Sequence, residues 1–289
     1  QGRAENIWDK LCSKPNTIKD GSNGDPGCQH IELWQQDVEL IEYLNVDAYR
    51  LSISWPRVID SNRAINKTGV TFYQNLVKTL SSKGIKVFVT LYHWDLPQYL
   101  EERGGWLNRE TAFEFEHFTK VMVEALDGYV YSYATLNEPW CSAYLGYEAG
   151  IHAPGKTGRE NGIKAAHHLM LAHGLSMQVI QQKSPSTENG VVVNLSPCYP
   201  KTDSVADQQA AKMASDYFND WYLQPLLSGK YPDLITQLTQ NPNDFILDGD
   251  LQLINQPLDY IGVNYYTRSI FEACPINGFK GCPADWQSA

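Results

Sequence analysis

Short runs of apolar residues alternate along this chain with longer stretches in which apolar residues recur every three or four positions. Five short runs, each bounded by turn-forming residues, predict β-strands at residues 48–54, 86–93, 131–137, 190–196 and 260–266. Four longer stretches predict helices at residues 68–83, 111–126, 162–183 and 204–227. The short runs are apolar almost throughout, which is typical of parallel strands buried on both faces. This alternation of strands and helices predicts an α/β fold.

Polar and aromatic residues gather at the carboxyl ends of the predicted strands. They are Arg50, Ser52, Ser54, Trp55, His93, Trp94, Asp95, Asn137, Glu138, Asn264, Tyr265 and Tyr266. Several strands that each deliver side chains to one rim are typical of a (β/α)8 TIM barrel. A doubly wound sheet would instead collect them at one point, usually beside a glycine-rich phosphate loop. The sequence has no GxGxxG or GxxxxGK[ST] motif, so the barrel is predicted and nucleotide binding is not supported.

The number of predicted strands is too small for a closed barrel. A barrel closes only when all eight strands are present, because a missing strand exposes a hydrogen-bonding edge. Either three strands lack a clear signal, or the chain belongs to a longer one. We expect a single catalytic barrel domain over residues 1–289 that is incomplete at both ends.

Charge and composition narrow the classes of partner. The 289 residues carry 23 Lys and Arg against 33 Asp and Glu, a formal net charge of −10. Such a surface repels polyphosphates and anionic lipids, so we expect neither nucleic-acid nor membrane binding. The longest apolar runs are far shorter than the roughly 20 residues of a membrane-spanning helix. Aromatic residues make up 12% of the chain, and their flat faces favour stacking on sugars.

The six cysteines are scattered and contain no CxxC pair, so free buried thiols are the favoured interpretation. Cys274 and Cys282 could close a small loop if the protein is exported. No His or Cys spacing matches a zinc site, and no metal is expected. The chain starts at Gln1 and shows no leader sequence. A signal peptide could already have been removed. The sequence does not decide the cellular compartment of the protein, and the cytoplasm is slightly favoured.

A series of motifs carries a family resemblance. They are NIWD at residues 6–9, YRLSISWPRV at 49–58, TLYHWDLPQYL at 90–100, TLNEPW at 135–140, GIHAPG at 150–155, HHLMLAHG at 167–174 and DYIGVNYYT at 259–267. In this order and on these strands, they make the chain resemble glycoside hydrolase family 1, the β-glucosidase family. The resemblance implies retaining hydrolysis of small β-glucosides or oligosaccharides on a (β/α)8 barrel, of which about strands 2 to 6 are present. It implies no cofactor.

The family motifs also imply roles for single residues. Glu138, in the NEP motif, would be the general acid/base, and burial would help it to hold its proton near neutral pH. Asn137 would hydrogen-bond the sugar 2-OH. His93 and Trp94 would belong to the pocket for the glycone, the sugar that is released, and Asn264 would also bind substrate.

Further matches concern the nucleophile and the leaving group. Arg50 would hold the nucleophilic carboxylate ionised, and Tyr266 would donate its phenol to the same group. Trp140 and Tyr144 are candidates for the side that binds the aglycone, the leaving group, although either could equally be packing. The remaining histidines of these motifs, His152, His167, His168 and His173, are interpreted as structural.

The family's nucleophile motif is TENG, and residues 187–190 read TENG. Glu188 nevertheless precedes its strand, which places it at the rim opposite Glu138, and only one helix separates the two residues. We therefore reject Glu188 and expect the nucleophile outside this chain. The first strand and its substrate-binding glutamine would also be absent, and Gln1 is not that glutamine. The isolated 289-residue segment is predicted to be inactive.

Two alternatives stay open at this point. A 6-phospho-β-glucosidase shares every motif named above, and the choice depends on cationic groups outside this segment. A catalytically inactive sugar-binding relative or fragment would also retain the pocket. The sequence retains both the acid and the residues that would support the nucleophile, which argues against the second alternative.

Overall fold

The computed structural model describes residues 2–234, 238–239, 241–275 and 278–282. Its strands are β1 (Ala48–Ser52), β2 (Lys86–Tyr92), β3 (Ser132–Asn137), β4 (Glu188–Asn194), β5 (Cys198–Pro200), β6 (Tyr260–Asn264), β7 (Ser269–Cys274) and β8 (Gly278–Cys282). Five of them form a parallel sheet in the order β1-β2-β3-β4-β6. Each strand of this sheet pairs with the next one along the chain and the order never reverses, as in the wall of a barrel and unlike a doubly wound sheet. All five predicted strands are confirmed, but β4 begins two residues earlier than predicted. The expectation that Glu188 precedes its strand is therefore wrong, since Glu188 is the first residue of β4.

The helices are α1 (Ile7–Cys12), α2 (His30–Tyr43), α3 (Trp55–Val58), α4 (Lys67–Ser82), α5 (Gln98–Glu101), α6 (Glu110–Ala125), α7 (Arg159–Lys183), α8 (Val205–Ser215), α9 (Trp221–Ser228) and α10 (Asp250–Ile254). Short 3-10 turns lie at Gly105–Leu107 and Pro242–Asp244, and π-helical turns at Cys141–Glu148 and Asp216–Asp220. The stretch 204–227, predicted as one helix, is α8 and α9 joined by the second π-helical turn. Helix α2, which precedes β1, was not predicted.

Helix α4 shows how the sequence builds the outer layer. The Asn66 side chain caps its first turn by accepting a hydrogen bond from the backbone N–H of Gly69. Tyr73, Leu76, Val77 and Leu80 recur at helical spacing on one face and are buried. Each buried side chain of this kind contributes on the order of 1.5–3 kcal/mol to stability. The helix thereby packs against β2, as the connection of a βα unit requires.

A second, smaller sheet was missed by the sequence analysis. No strand is predicted after residue 266, but β7 and β8 form an antiparallel pair, and β5 joins β7 in parallel. Residues 283–289 lie outside the described part of the chain. Cys282 faces Ile270 and Cys274 faces Gly278 across this pair, so the two cysteines lie about four residues, or roughly 13 Å, apart along it. The possible Cys274–Cys282 disulfide is therefore wrong, and both thiols are free.

Burial differs between the middle and the ends of the parallel sheet. All six residues of β3 are buried, as expected for a strand covered on both faces. Residues of β1 alternate between exposed and half-buried, and Val263 in β6 is also exposed. Within the described residues, the outer edges of β1 and β6 pair with no further strand. The expectation of burial on both faces therefore holds in the centre of the sheet and fails at its ends. No helix among these described residues is long and apolar enough to cross a bilayer.

Candidate active site

The strand register brings the polar residues named above to one rim of the sheet. Ser52 pairs with Thr90, Tyr92 with Leu136, and Asn194 with Asn264. Because neighbouring parallel strands end at the same rim, the residues that follow these pairs converge there. The sequence prediction that several strands contribute to one site agrees with this arrangement.

Asn137 is the centre of a hydrogen-bond network at this rim. Arg50 donates through Nη2 to Asn137 Oδ1 at 2.8 Å and through Nε to Thr90 Oγ1 at 2.9 Å. Asn137 Nδ2 lies 3.3 Å from His93 Nε2, and Trp94 Nε1 donates to the Asn137 carbonyl at 2.8 Å. Desolvation of the ring, followed by the charge of Arg50, lowers the pKa of His93, which favours the neutral ring, whose Nε2 can accept.

Glu138 follows Asn137 and is almost fully buried, with 3% of its surface exposed. Its backbone has a positive φ of 49°, a left-handed conformation that is uncommon in a residue other than glycine and is concentrated at functional sites. The Glu138 N–H donates to the Val192 carbonyl at 2.7 Å, so β4 holds the backbone in this turn. The chain therefore leaves β3 sharply, and the carboxyl group is fixed at the rim.

Three donors surround the Glu138 carboxyl group among the described residues. Asn264 Nδ2 donates to Oε1 at 2.7 Å, and the Tyr266 hydroxyl lies 3.3 Å from the same oxygen. Cys141 Sγ donates to Oε2 at 3.2 Å. The charge of Glu138 raises the pKa of Tyr266, so this phenol stays protonated and can donate. Cys141 was not identified from the sequence, although its position three residues after Glu138 was a usable signal.

Tyr266 and Arg50 were predicted to contact a nucleophilic carboxylate. In the structure Tyr266 contacts Glu138 instead, and Arg50 contacts Asn137 and Thr90. Their predicted roles toward a nucleophile stay predictions. Glu188 pairs with Ser132 at the start of β3 and accepts a hydrogen bond from the Tyr131 hydroxyl at 2.9 Å. It therefore lies about five residues, or roughly 17 Å, along the sheet from the rim that carries Glu138, as the rejection of TENG requires.

A cavity of about 720 Å³ opens beside Glu138. The rings of Trp140 and Tyr144 stack in its wall with centroids 5.0 Å apart and planes at 17°. Phe218 meets both rings edge-on, at 5.8 and 5.3 Å. Apolar flat walls next to a carboxyl group suit a ring-shaped ligand. Phe218 was not identified from the sequence, because it comes from the long segment after β4.

Trp94 is held in place from its other side. Its φ is 80°, another left-handed conformation. Trp8 Nε1 donates to the Trp94 carbonyl at 3.0 Å, and the His152 ring lies 5.5 Å from the Trp94 ring and 5.3 Å from the Trp8 ring. Burial lowers the pKa of His152. His152 was interpreted as structural, and it packs directly against a residue of the rim.

The other three motif histidines are buried and bonded within the fold. His167 Nε2 lies 2.9 Å from Asp250 Oδ2, His168 Nδ1 2.8 Å from the Trp106 carbonyl, and His173 Nδ1 2.6 Å from Thr135 Oγ1. These contacts lie in the outer helical layer and beneath the sheet, which agrees with their structural interpretation. No cluster of three or more His, Cys, Asp or Glu side chains that could hold a metal ion occurs in residues 2–234, 238–239, 241–275 or 278–282.

Comparison with known proteins adds an independent test. The model of glycosyl hydrolase family 1 matches residues 1–283. The chain is 38% identical over 267 residues to the beta-glucosidase of Agrobacterium sp., covering 92% of this chain and 58% of that protein. It is 34% identical over 287 residues to beta-glucosidase A of Acetivibrio thermocellus, covering 98% and 64%.

Comparison with solved structures leads to the same family. The crystal structure of the GH1 beta-glucosidase from Exiguobacterium antarcticum B7 matches with a TM-score of 0.94 at 40% identity, covering 98% of this chain and 65% of that one. The chain thus spans 58 to 64% of the length of the two curated relatives named above. The partial barrel wall, the residues on its rim and these matches agree: the chain belongs to glycosyl hydrolase family 1.

Proposed function

We propose that the full-length protein is a retaining β-glucosidase and that Glu138 is its general acid/base. The observation that carries the proposal is the buried Glu138 carboxyl, fixed at the rim beside Asn137 and next to a cavity with aromatic walls. The relatives named above are beta-glucosidases, which supports a β-glucoside as substrate. They give no support to the 6-phospho-β-glucosidase alternative.

In the first step Glu138 donates its proton to the glycosidic oxygen, and the aglycone leaves as an alcohol. A second carboxylate, about 5–5.5 Å from Glu138, attacks the anomeric carbon and forms a glycosyl-enzyme intermediate. In the second step Glu138 removes a proton from water as the water oxygen attacks the anomeric carbon. The bond to the second carboxylate breaks, and the sugar is released with its original configuration. We propose that the second carboxylate lies in the part of the relatives' length that this chain does not span.

The residues around Glu138 have matching roles in this proposal. Arg50 fixes Asn137 Oδ1, so the amide Nδ2 points to the side of His93 and can reach the 2-OH of the sugar. Such a contact strengthens as positive charge develops on the sugar ring. His93 and Trp94 complete the glycone pocket. The stacked Trp140 and Tyr144 form the aglycone wall, which fits small aryl glucosides and oligosaccharides.

The test is the dependence of rate on leaving group in the full-length Glu138→Gln variant. For cellobiose, whose alcohol must be protonated to leave, we expect kcat/KM to fall by about 10²- to 10⁴-fold. For dinitrophenyl β-glucoside, whose leaving group needs no proton, we expect a much smaller loss in the first step.

Glu188→Gln is the matched control, since Glu188 lies at the opposite rim. It should leave both activities unchanged. Equal losses on the two substrates in Glu138→Gln, or no loss, would refute the role of Glu138.

A further inference from the structure

The two oxygens of the Glu138 carboxyl group have unequal partners. Oε1 receives hydrogen bonds from an amide, Asn264, and a phenol, Tyr266. Oε2 receives one hydrogen bond, from the thiol of Cys141 at 3.2 Å. Among the described residues, Cys141 is the partner of Oε2. A thiol is the weakest of these three donors.

The thiol is held in this position by the backbone. Cys141 begins the π-helical turn Cys141–Glu148, and its N–H donates to the Glu138 carbonyl at 2.9 Å. Only 6% of its surface is exposed. Burial, followed by the charge of Glu138, raises the pKa of Cys141, so the group stays a protonated donor.

The proton of a carboxylic acid resides on the oxygen that strong donors leave free. Oε1 already accepts two hydrogen bonds, and Oε2 accepts a weak one. The acidic proton therefore belongs on Oε2, beside Cys141. A strong donor at residue 141 would favour the ionised carboxylate, and an apolar side chain would favour the protonated acid.

We propose that Cys141 is a positioning residue that orients Oε2 of Glu138 and sets its acidity, because its thiol is a weak enough donor to leave the proton in place. This inference rests on the proposed function of Glu138 as the general acid. The sulfur takes no part in bond making or breaking.

Other groups also face Glu138, and their influence must stay constant in a test. Tyr266 approaches from the segment after β6, His93 from the end of β2, and His152 from the segment after the π-helical turn. Arg50 approaches from β1 through Asn137. None of these side chains hydrogen-bonds Cys141, so substitution of the thiol changes one contact of the carboxyl group.

The experiment is a titration of Glu138 in the full-length protein, followed by carboxyl-carbon NMR and assigned by difference from Glu138→Gln. Cys141→Ser, a stronger donor of similar shape, should lower the titration midpoint by about one pH unit, which corresponds to one charge-assisted hydrogen bond. Cys141→Val, which fills the space without a donor, should raise it. Cys198→Ser is the matched control, because Cys198 lines the same cavity but donates to the Ser196 carbonyl.

An identical midpoint in the wild type, Cys141→Ser and Cys141→Val would overturn the inference. The titration needs no turnover, so its result can be read whether or not Glu138 acts as the general acid. If the midpoints shift in the expected order and the alkaline limb of the kcat/KM profile shifts with them, both proposals are supported. If the midpoints shift and the limb does not, the influence of Cys141 on Glu138 stands and the role of Glu138 as acid fails.

Discussion

At the scale of single residues, the proposed chemistry depends on two neighbours with different surroundings. Asn137 ends β3 within a network of donors and acceptors, and Glu138 turns out of the strand with a φ of 49°. The sequence could predict both, because the NEP motif follows a strand. Cys141 was not identified as a partner, because its spacing of three residues from Glu138 becomes a contact only through the left-handed turn and the π-helical turn that follows it.

Asn264 should matter more to the acid than Tyr266 does. Its amide donates to Glu138 Oε1 at 2.7 Å, compared with 3.3 Å for the phenol. Loss of a strong donor favours the protonated acid, so Asn264→Ala should move the alkaline limb of the kcat/KM profile up by about one pH unit. Tyr266→Phe should move it by less. A pH–rate profile of the three full-length proteins tests this, and a larger shift in Tyr266→Phe would contradict it.

At the scale of elements, the small sheet supports the aromatic wall of the cavity. Phe271 in β7 stacks on Phe218 at 6.0 Å and meets Phe279 of β8 edge-on at 5.7 Å. The Gly and Cys content of residues 269–282 hid these strands from the sequence analysis. Each strand buries one aromatic residue, Phe271 in β7 and Phe279 in β8, and the runs around them are too short to stand out.

Removal of the Phe271 ring should affect both stability and binding. Phe271 is 5% exposed, so Phe271→Ala should lower the free energy of unfolding by about 3–5 kcal/mol. In the full-length protein Phe218 would lose its support, and KM for aryl β-glucosides, the proposed substrates, should rise while kcat changes little. Phe271→Leu keeps most of the side-chain volume, so it should lower the free energy of unfolding by less than about 1.5 kcal/mol. Urea unfolding and Michaelis kinetics measure these effects, and an unchanged KM in Phe271→Ala would show that the wall does not depend on β7.

At the scale of the whole molecule, the sequence predicted the parallel barrel wall and its rim because apolar strand runs and polar strand ends are local patterns. It did not predict the contacts that the buried Asp250 carboxyl makes with residues distant in the sequence. Arg109, next to α6, donates to Asp250 of α10 at 2.6 Å, and His167 of α7 contacts the same carboxyl. Burial alone would raise the pKa of Asp250, but the hydrogen bonds from Arg109 and His167 outweigh it and lower the pKa. These partners are separated by more than eighty residues, and no local pattern joins them.

Two groups, the buried His173 and the half-buried Asp95, should make stability depend on pH in opposite directions. Burial lowers the pKa of His173 to about 3, so between pH 3 and 6.5 the unfolded chain binds a proton that the folded chain does not, and stability falls as pH falls. Burial raises the pKa of Asp95 to about 7, so between pH 3.8 and 7 the folded chain holds the extra proton, and stability falls as pH rises.

Substitution of each group should therefore change the slope of unfolding free energy against pH. Near pH 5, His173→Gln should decrease this slope by about 1.4 kcal/mol per pH unit, and Asp95→Asn should increase it by a similar amount. His117→Gln, at an exposed position, is the control and should leave the slope unchanged. Urea unfolding at several pH values measures the slopes, and changes of the same sign in both variants would contradict the assignment.

The most direct test of the central claim is the reaction of the full-length Glu138→Ala variant with dinitrophenyl β-glucoside in the presence of azide. Without its base the variant should accumulate the glycosyl-enzyme, and azide, which needs no base, should attack it and restore turnover. Two displacements retain configuration, so the predicted product is β-glucosyl azide. The α-anomer, or a rate that azide does not change, would contradict the assignment of Glu138 as the acid/base of a retaining glycosidase.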